Sequence, residues 1–274
     1  MFPGATADRE AAEYVVVGAP LDISTTFQPG TRFGPDRIRQ FARSFEDYDH
    51  RTDQHFSALD VHDAGDVHAW SDAAEYVEYL AGTLRDIDAV PLLLGGEHTV
   101  TVAGVRAVDP DLFVCLDAHL DLRTEFDGDP WSHACVTHRA LDHADHAIVV
   151  GARAGSEAEW DRADAPDVTL VTPEAVTAKG VEAVRDAIDA AVDDPAPTTY
   201  LSVDIDAVDP GFAPGTGTME PGGLSAREAR AVVRAVAPDV DGADVVEVND
   251  RDDGQAATLG AKLLRDIVFA HAES

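Results

Sequence analysis

Basic charge is scarce in this chain. Its 274 residues carry 20 Lys and Arg against 52 Asp and Glu, a formal net charge of −32, and Lys179 and Lys262 are the only lysines. No basic stripe exists along which a nucleic acid could lie, so nucleic-acid partners are excluded as an expectation. A fold this acidic repels itself at low salt. At molar salt the Debye length falls to about 3 Å and that repulsion is screened. The acids are spread along the chain rather than gathered in a tail, so they read as the solvated, halophilic surface of a protein working in a very salty interior. Thiols are equally few. Cys115 and Cys135 stand alone, outside any CxxC pair, which rules out a disulfide framework or a thiolate-built metal site. No apolar run approaches the ~20 residues that cross a bilayer. The segment Met1–Glu13 lacks the basic and apolar regions of a signal peptide, so a soluble cytoplasmic protein with no membrane partner is expected.

What is present alternates. Short apolar runs at Tyr14–Gly18, Val90–Leu94, Leu112–Leu116, Ala147–Val150, Val168–Val171, Tyr200–Asp204 and Ala243–Glu247 read as strands. Between them helical patterns fall at 73–87, 100–107, 133–141, 157–163, 173–192, 226–236 and 255–270. Thr172 before Pro173 is a candidate N-cap, and Ser225 with Glu228 a capping box. Such alternation predicts an α/β fold: a single three-layer domain over residues 1–274, with a mainly parallel sheet of about eight strands and helices on both faces. The glycine- and proline-rich stretch 209–223 is long enough to predict a functional loop.

In such a sheet ligands bind beyond the carboxyl ends of the strands. Three candidate strands end in metal-ligand chemistry. One stops at Gly95-Gly96 and presents His98; one runs into Asp117, His119 and Asp121; one ends in Asp204 and Asp206, which strand periodicity puts on one side. Each motif taken singly has a plain structural reading, as a turn, a capped loop or a surface cluster. Together they bring four carboxylates and two imidazoles to one place, and buried carboxylates cannot share a pocket in the ionised state without cations. Mixed oxygen and nitrogen donors without thiolate suit Mn²⁺, and six donors suit two ions ~3.5–4 Å apart.

These motifs resemble those of the ureohydrolases, the arginase and agmatinase family, over nearly the whole chain. Its GGDH[ST] element is seen as GGEHT (95–99), DAHxD as DAHLD (117–121), and its long third signature as SVDIDAVDPGFAPGTGTMEPGG (202–223). The GxRxGPxxIR element falls at 30–39 and VEVN at 246–249. The resemblance implies an arginase-like fold and two Mn²⁺. One ion would take His98, Asp117, Asp121 and Asp204, the other Asp117, His119, Asp204 and Asp206, with a bridging hydroxide that attacks the guanidino carbon. It implies His133 as the proton shuttle to the leaving amine and Glu247 as the partner of the substrate guanidinium. It also implies a homo-oligomer, a trimer or hexamer.

Arginases carry Asn two residues after the DAHxD aspartate; here Arg123 stands there, and the run 122–135 looks more like the agmatinase branch. Agmatine, cleaved to putrescine and urea in polyamine biosynthesis, is the expected substrate. Glu125, Asp127 or Asp129 would receive its ammonium and Trp131 its methylene chain or charge. Arg123 would be neutralised by Glu125 or Asp127; unpaired, it would favour a guanidino acid such as guanidinobutyrate or formiminoglutamate. Two departures touch the signatures themselves: Glu97 replaces the usual Asp, and Asp250 stands where Pro or Ser-Pro is common. A metal-dependent deacetylase and an inactive metal- or polyamine-binding protein are weaker readings, because all six donors and His133 are present.

Overall fold

The computed structural model describes residues 1–192 and 196–273. Its strands are β1 (Tyr14–Ala19), β2 (Tyr48–Asp49), β3 (Gln54–His55), β4 (Val61–Asp66), β5 (Val90–Gly95), β6 (Leu112–Leu116), β7 (His146–Val150), β8 (Val168–Val171), β9 (Thr199–Asp204) and β10 (Gly242–Val246). Its helices are α1 (Gly34–Ala42), α2 (Ala73–Arg85), α3 (Thr101–Val108), α4 (Val136–Ala140), α5 (Glu157–Ala163), α6 (Pro173–Lys179), α7 (Glu182–Ala191), α8 (Ala226–Val236) and α9 (Gln255–His271). β2 and β3 form a small antiparallel pair. The other eight strands make one sheet in the order β4-β1-β5-β10-β9-β6-β7-β8, paired in parallel throughout.

Alternate residues of each strand face opposite layers. Val16, Leu92, Leu94, Val114 and Leu116 join one apolar core with residues of α1, α7, α8 and α9. Val15, Val17 and Leu93 join another with α2 and α3. The inner strands are therefore buried on both faces, which is why they read as unbroken Val/Leu runs. The expected single α/β domain with a parallel sheet of about eight strands is what forms.

The elements differ from expectation in four places. The eighth strand, β4, is an edge strand of sequence VHDAGD in which only Val61 and Asp63 are buried, so it carries no apolar run. Residues 34–42 form a helix, α1, with Pro35 in its first turn. The helix expected over 173–192 is two: α6 stops at Gly180, whose φ of 66° a glycine adopts freely, and α7 starts afresh. The helix expected from His133 begins as a tight 3₁₀ turn, His133–Cys135, before α4. The caps follow the sequence: Thr172 accepts from the Ala175 N–H, and Ser225 and Glu228 close a capping box on α8. Among the described residues no helix is long and apolar enough to cross a membrane.

Candidate metal centre and cavity

Four adjacent strands, β5, β10, β9 and β6, occupy the middle of the sheet, and every candidate ligand follows the carboxyl end of one of them. Beyond β5 the chain must pass close to the loop after β1. Gly96 donates to the Ala19 carbonyl at 2.8 Å and Glu97 to the Leu21 carbonyl at 2.7 Å. A Cβ on Gly96 would lie 1.9 Å from the Leu21 oxygen, so only glycine lets His98 turn inward here.

His98 is buried, and its Nδ1 lies 3.1 Å from Asp117 Oδ2, 3.2 Å from Asp121 Oδ2 and 3.4 Å from Asp204 Oδ2. His119 Nδ1 lies 3.0 Å from Asp206 Oδ2 and 3.6 Å from Asp117 Oδ1. The two oxygens of Asp117 thus face two different histidines. All six donors that the sequence singled out are brought together. Asp206 arrives differently from expectation: β9 ends at Asp204, and Asp206 lies on the 3₁₀ turn Ile205–Ala207. Asp204 Oδ1 accepts the Asp206 N–H at 2.8 Å and pins that turn, leaving Oδ2 for the cage.

The residues fit a bound cation. On the far side of the His98 ring, Nε2 lies 3.1 Å from Ser202 Oγ, which itself donates to Asp244 Oδ1 at 2.7 Å. Ser202 gives its proton to Asp244, so it accepts from Nε2–H, and Nδ1 is left with its lone pair. That Nδ1 is buried without a hydrogen-bond partner and faces three carboxylates, an arrangement that is repulsive unless a positive charge sits among them. Two of the carboxylates report the same deficit, whereas Asp117, raised by burial but set between His119 and His98, is held low by those rings. Burial and then Asp117 push Asp121 up to about 6, and burial with Asp206 and Asp117 pushes Asp204 well above the usual range.

His133 and Glu247 lie beside this cage. Glu247 follows β10 in a left-handed conformation, φ 59°, which its side chain tolerates poorly. Its Oε1 accepts the His98 backbone N–H at 2.8 Å and lies 2.9 Å from His133 Nδ1, while Oε2 is buried without a partner. On the other side of the ring the Thr26 amide N–H donates to His133 Nε2 at 3.0 Å. Burial alone would lower the His133 pKa; Glu247 raises it above the ordinary value.

A cavity of about 300 Å³ opens onto the cage. His119, Asp121, Asp204, Asp206 and His133 form its inner wall with Thr218, which donates to Asp206 Oδ2 at 3.2 Å, and Arg123, Phe126, Glu159 and Glu220, which touch no cage donor, form the outer wall. Glu247 lies behind the lining, next to His133. The expected tail-binding residues are not in this wall. Glu125, Asp127 and Asp129 are exposed on a tight turn closed by two Phe126–Asp129 backbone bonds, and Asp127 and Gly128 both take positive φ there. That turn sends its acids to solvent and gives only Phe126 to the cavity. Trp131 has the Arg106 and Arg139 guanidinium groups 5.1 and 4.8 Å from its ring centroid and packs on the α2–α3 core. Arg123 pairs with Glu159 of α5 at 3.0 Å, not with Glu125 or Asp127. Thr26, Glu159, Thr218 and Glu220 escaped the sequence reading. Thr218 and Glu220 had a signal there, since both lie inside the third signature.

With this geometry in view, likeness to known proteins is informative. The arginase family model matches residues 12–270. The chain is 34% identical over 269 residues to N(1)-aminopropylagmatine ureohydrolase of Thermococcus kodakarensis, covering 94% of this chain and 90% of that protein. It is 33% identical over 270 residues to agmatinase of Pyrococcus horikoshii, covering 94% and 92%. The structure of agmatine ureohydrolase of Thermoplasma volcanium superposes with a TM-score of 0.92 at 31% identity, over 99% of this chain and 94% of that one. The chain belongs to the arginase family. It is a ureohydrolase, an enzyme that hydrolyses amidino C–N bonds, from a family that depends on metal.

Proposed function

We propose that the chain hydrolyses agmatine to putrescine and urea with two Mn²⁺ held by His98, Asp117, His119, Asp121, Asp204 and Asp206. The relatives named above carry out the hydrolysis on guanidines with different amine tails, so the tail must be argued from the cavity. One observation carries the choice. Glu159 is committed to Arg123, to the Ser156 N–H and to the Ser156 hydroxyl, whereas the Glu220 carboxylate has no partner among the described residues. Arg123 and Glu159 cancel, and Glu220 is the one outer-wall acid left for an ammonium tail; the Arg153 guanidinium beside it is engaged by the Gly151, Asp206, Ala207 and Glu220 carbonyls and does not line the cavity.

When bound, the two metal ions would supply water strongly acidified, towards about 7, a ready nucleophile at neutral pH. The chain's own residues do the rest. Glu247 stands just behind the cavity wall with Oε2 clear of every other donor, so the role assigned to it is to accept a guanidinium N–H that reaches past His133 and so to orient the carbon. His133, its pKa raised by Glu247, takes a proton from the attacking water at Nε2, giving up the Thr26 N–H there, and passes that proton to the leaving amine. Glu220 receives the ammonium at the other end, and Phe126 covers the methylene chain.

The test is urea release from agmatine, N(1)-aminopropylagmatine, 4-guanidinobutyrate and arginine by the Mn²⁺-loaded protein in molar KCl. Agmatine is expected to give the highest kcat/KM. Glu220→Gln is expected to raise the agmatine KM about tenfold, the worth of one charge-assisted hydrogen bond, and to lower the guanidinobutyrate KM, because a like charge facing its carboxylate is removed. A preference for guanidinobutyrate would instead assign Arg123 as the tail receptor.

A further inference from the structure

Glu97 contributes nothing to the cage, yet it is wholly buried beside it. Its carboxylate is directed at the loop that follows β1. The Ser24 N–H donates to it at 2.9 Å, the Ser24 hydroxyl at 2.6 Å and the Thr25 hydroxyl at 3.0 Å. Residues 23–27 make no backbone–backbone hydrogen bond among the described residues. Their anchorage is therefore through side chains: to Glu97 on one side, and from Thr26 to the His133 ring on the other. Thr26 is the residue next in sequence to this clamp. Its N–H lies 3.0 Å and its Oγ1 2.9 Å from His133 Nε2.

We propose that Glu97 is a positioning residue for His133, acting through residues 24–26. The carboxylate fixes Ser24 and Thr25; the fixed loop presents the Thr26 N–H; that N–H holds the imidazole edge-on, with Nδ1 turned to Glu247. A glutamate is needed for the reach. An aspartate carboxylate would retreat by about one C–C bond, roughly 1.5 Å, and hydrogen bonds of this kind do not survive such a gap. The longer arm is thus matched to the loop in front of it. Because the loop has no backbone ladder of its own, losing the carboxylate frees Thr26 without disturbing the strands that carry the six cage donors.

The inference rests on the proposed role of His133, but one arm of its test does not. Glu97→Gln keeps the volume and replaces one acceptor oxygen with a donor. In the full chain loaded with diamagnetic Mg²⁺, the Thr26 amide is expected to exchange its hydrogen about tenfold faster in this variant, the worth of roughly one hydrogen bond. The Ala118 amide, which Asp206 Oδ1 holds at 3.1 Å inside the cage, is expected to keep its exchange rate. With Mn²⁺, kcat for urea release is expected to fall about tenfold or more with KM and metal content unchanged, the signature of a misplaced catalytic group. Ser24→Ala serves as the second variant, removing a donor from the surface side of the clamp. It should act in the same direction, and Glu97→Gln/Ser24→Ala should lose little beyond the worse single change, because both act through one connection. Unaltered Thr26 exchange in Glu97→Gln overturns the proposal, as does a loss in the double variant equal to the product of the single losses. Absence of urea from the parent chain would sink the functional reading alone, since the Thr26 arm needs no substrate.

Discussion

His98 has two ring nitrogens, and the fold gives them opposite neighbours. Nε2 is tied through Ser202 to the fully buried Asp244, which also accepts from the Tyr200 hydroxyl at 2.9 Å. Nδ1 is left bare in front of three carboxylates. The first contact decides which nitrogen can act as a ligand. Ser202→Ala should therefore keep all six donors and still weaken Mn²⁺ binding about 10–100-fold, as loss of such supporting partners does elsewhere. Metal titration of the stripped protein measures this, and unchanged affinity would remove Ser202 from that role. At this scale the sequence was readable wherever chemistry sat directly after an apolar run. His98, Asp117, His119, Asp121 and Asp204 all do. Asp206 was found too, though by way of a turn rather than the strand. The outer wall was not readable, because Thr26, Glu159 and Glu220 reach it from segments far apart in the chain. The 124–130 turn was not readable either, since nothing in its composition reveals that its acids point outward.

Among the elements, the least apolar strand is held by charge. Arg39 of α1 grips Asp63 of β4 through two hydrogen bonds of 2.8 Å, and Asp66 at the strand end through another. The Phe2 N–H also donates to Asp63. Burial would raise the Asp63 pKa, but the Arg39 hydrogen bonds and charge outweigh it and hold the carboxyl below its ordinary value. The sign follows. A depressed pKa adds stability that is fully present above the unfolded value of about 3.9 and is lost as pH falls through the folded value. Asp63→Asn should cost about 3 kcal/mol at pH 7, as breaking a buried pair does. Urea midpoints taken down the acid range should show that difference shrinking below pH ~4. A constant difference would mean that the pair does not carry it. This strand eluded the sequence reading for the same reason: VHDAGD has no apolar alternation, and its pairing is written in Arg39, more than twenty residues away. The break between α6 and α7 was missed differently, since Gly180 lies inside a helical pattern that continues on both sides.

For the whole molecule the net charge of −32 outweighs any single contact. Self-repulsion of that size is long-ranged in dilute buffer and is cut to about 3 Å in molar salt. Thermal midpoints should therefore rise steadily between 0.1 M and 2 M KCl, and a flat response would show that the acids are spaced too widely to oppose folding. The same screening weakens long-range attraction of a cationic guanidine toward the protein. At the salt that favours the fold, recognition falls to groups in direct contact with the substrate, such as Glu220, rather than to the overall field.

Asp121 shares with Glu247 a left-handed backbone, φ 50° against 59°, and is crowded by Asp117. Asparagine tolerates that conformation equally well and carries no charge. Asp121→Asn should accordingly raise the melting point of the metal-free chain while lowering its affinity for Mn²⁺, so that the two forms of the protein rank the same pair of variants in opposite order. Melting curves with and without Mn²⁺ would show that crossing directly. Its consequence lies in inheritance: in a lineage starved of the metal, selection for stability alone would favour the loss of this aspartate, and the chain would keep its fold while surrendering its trade.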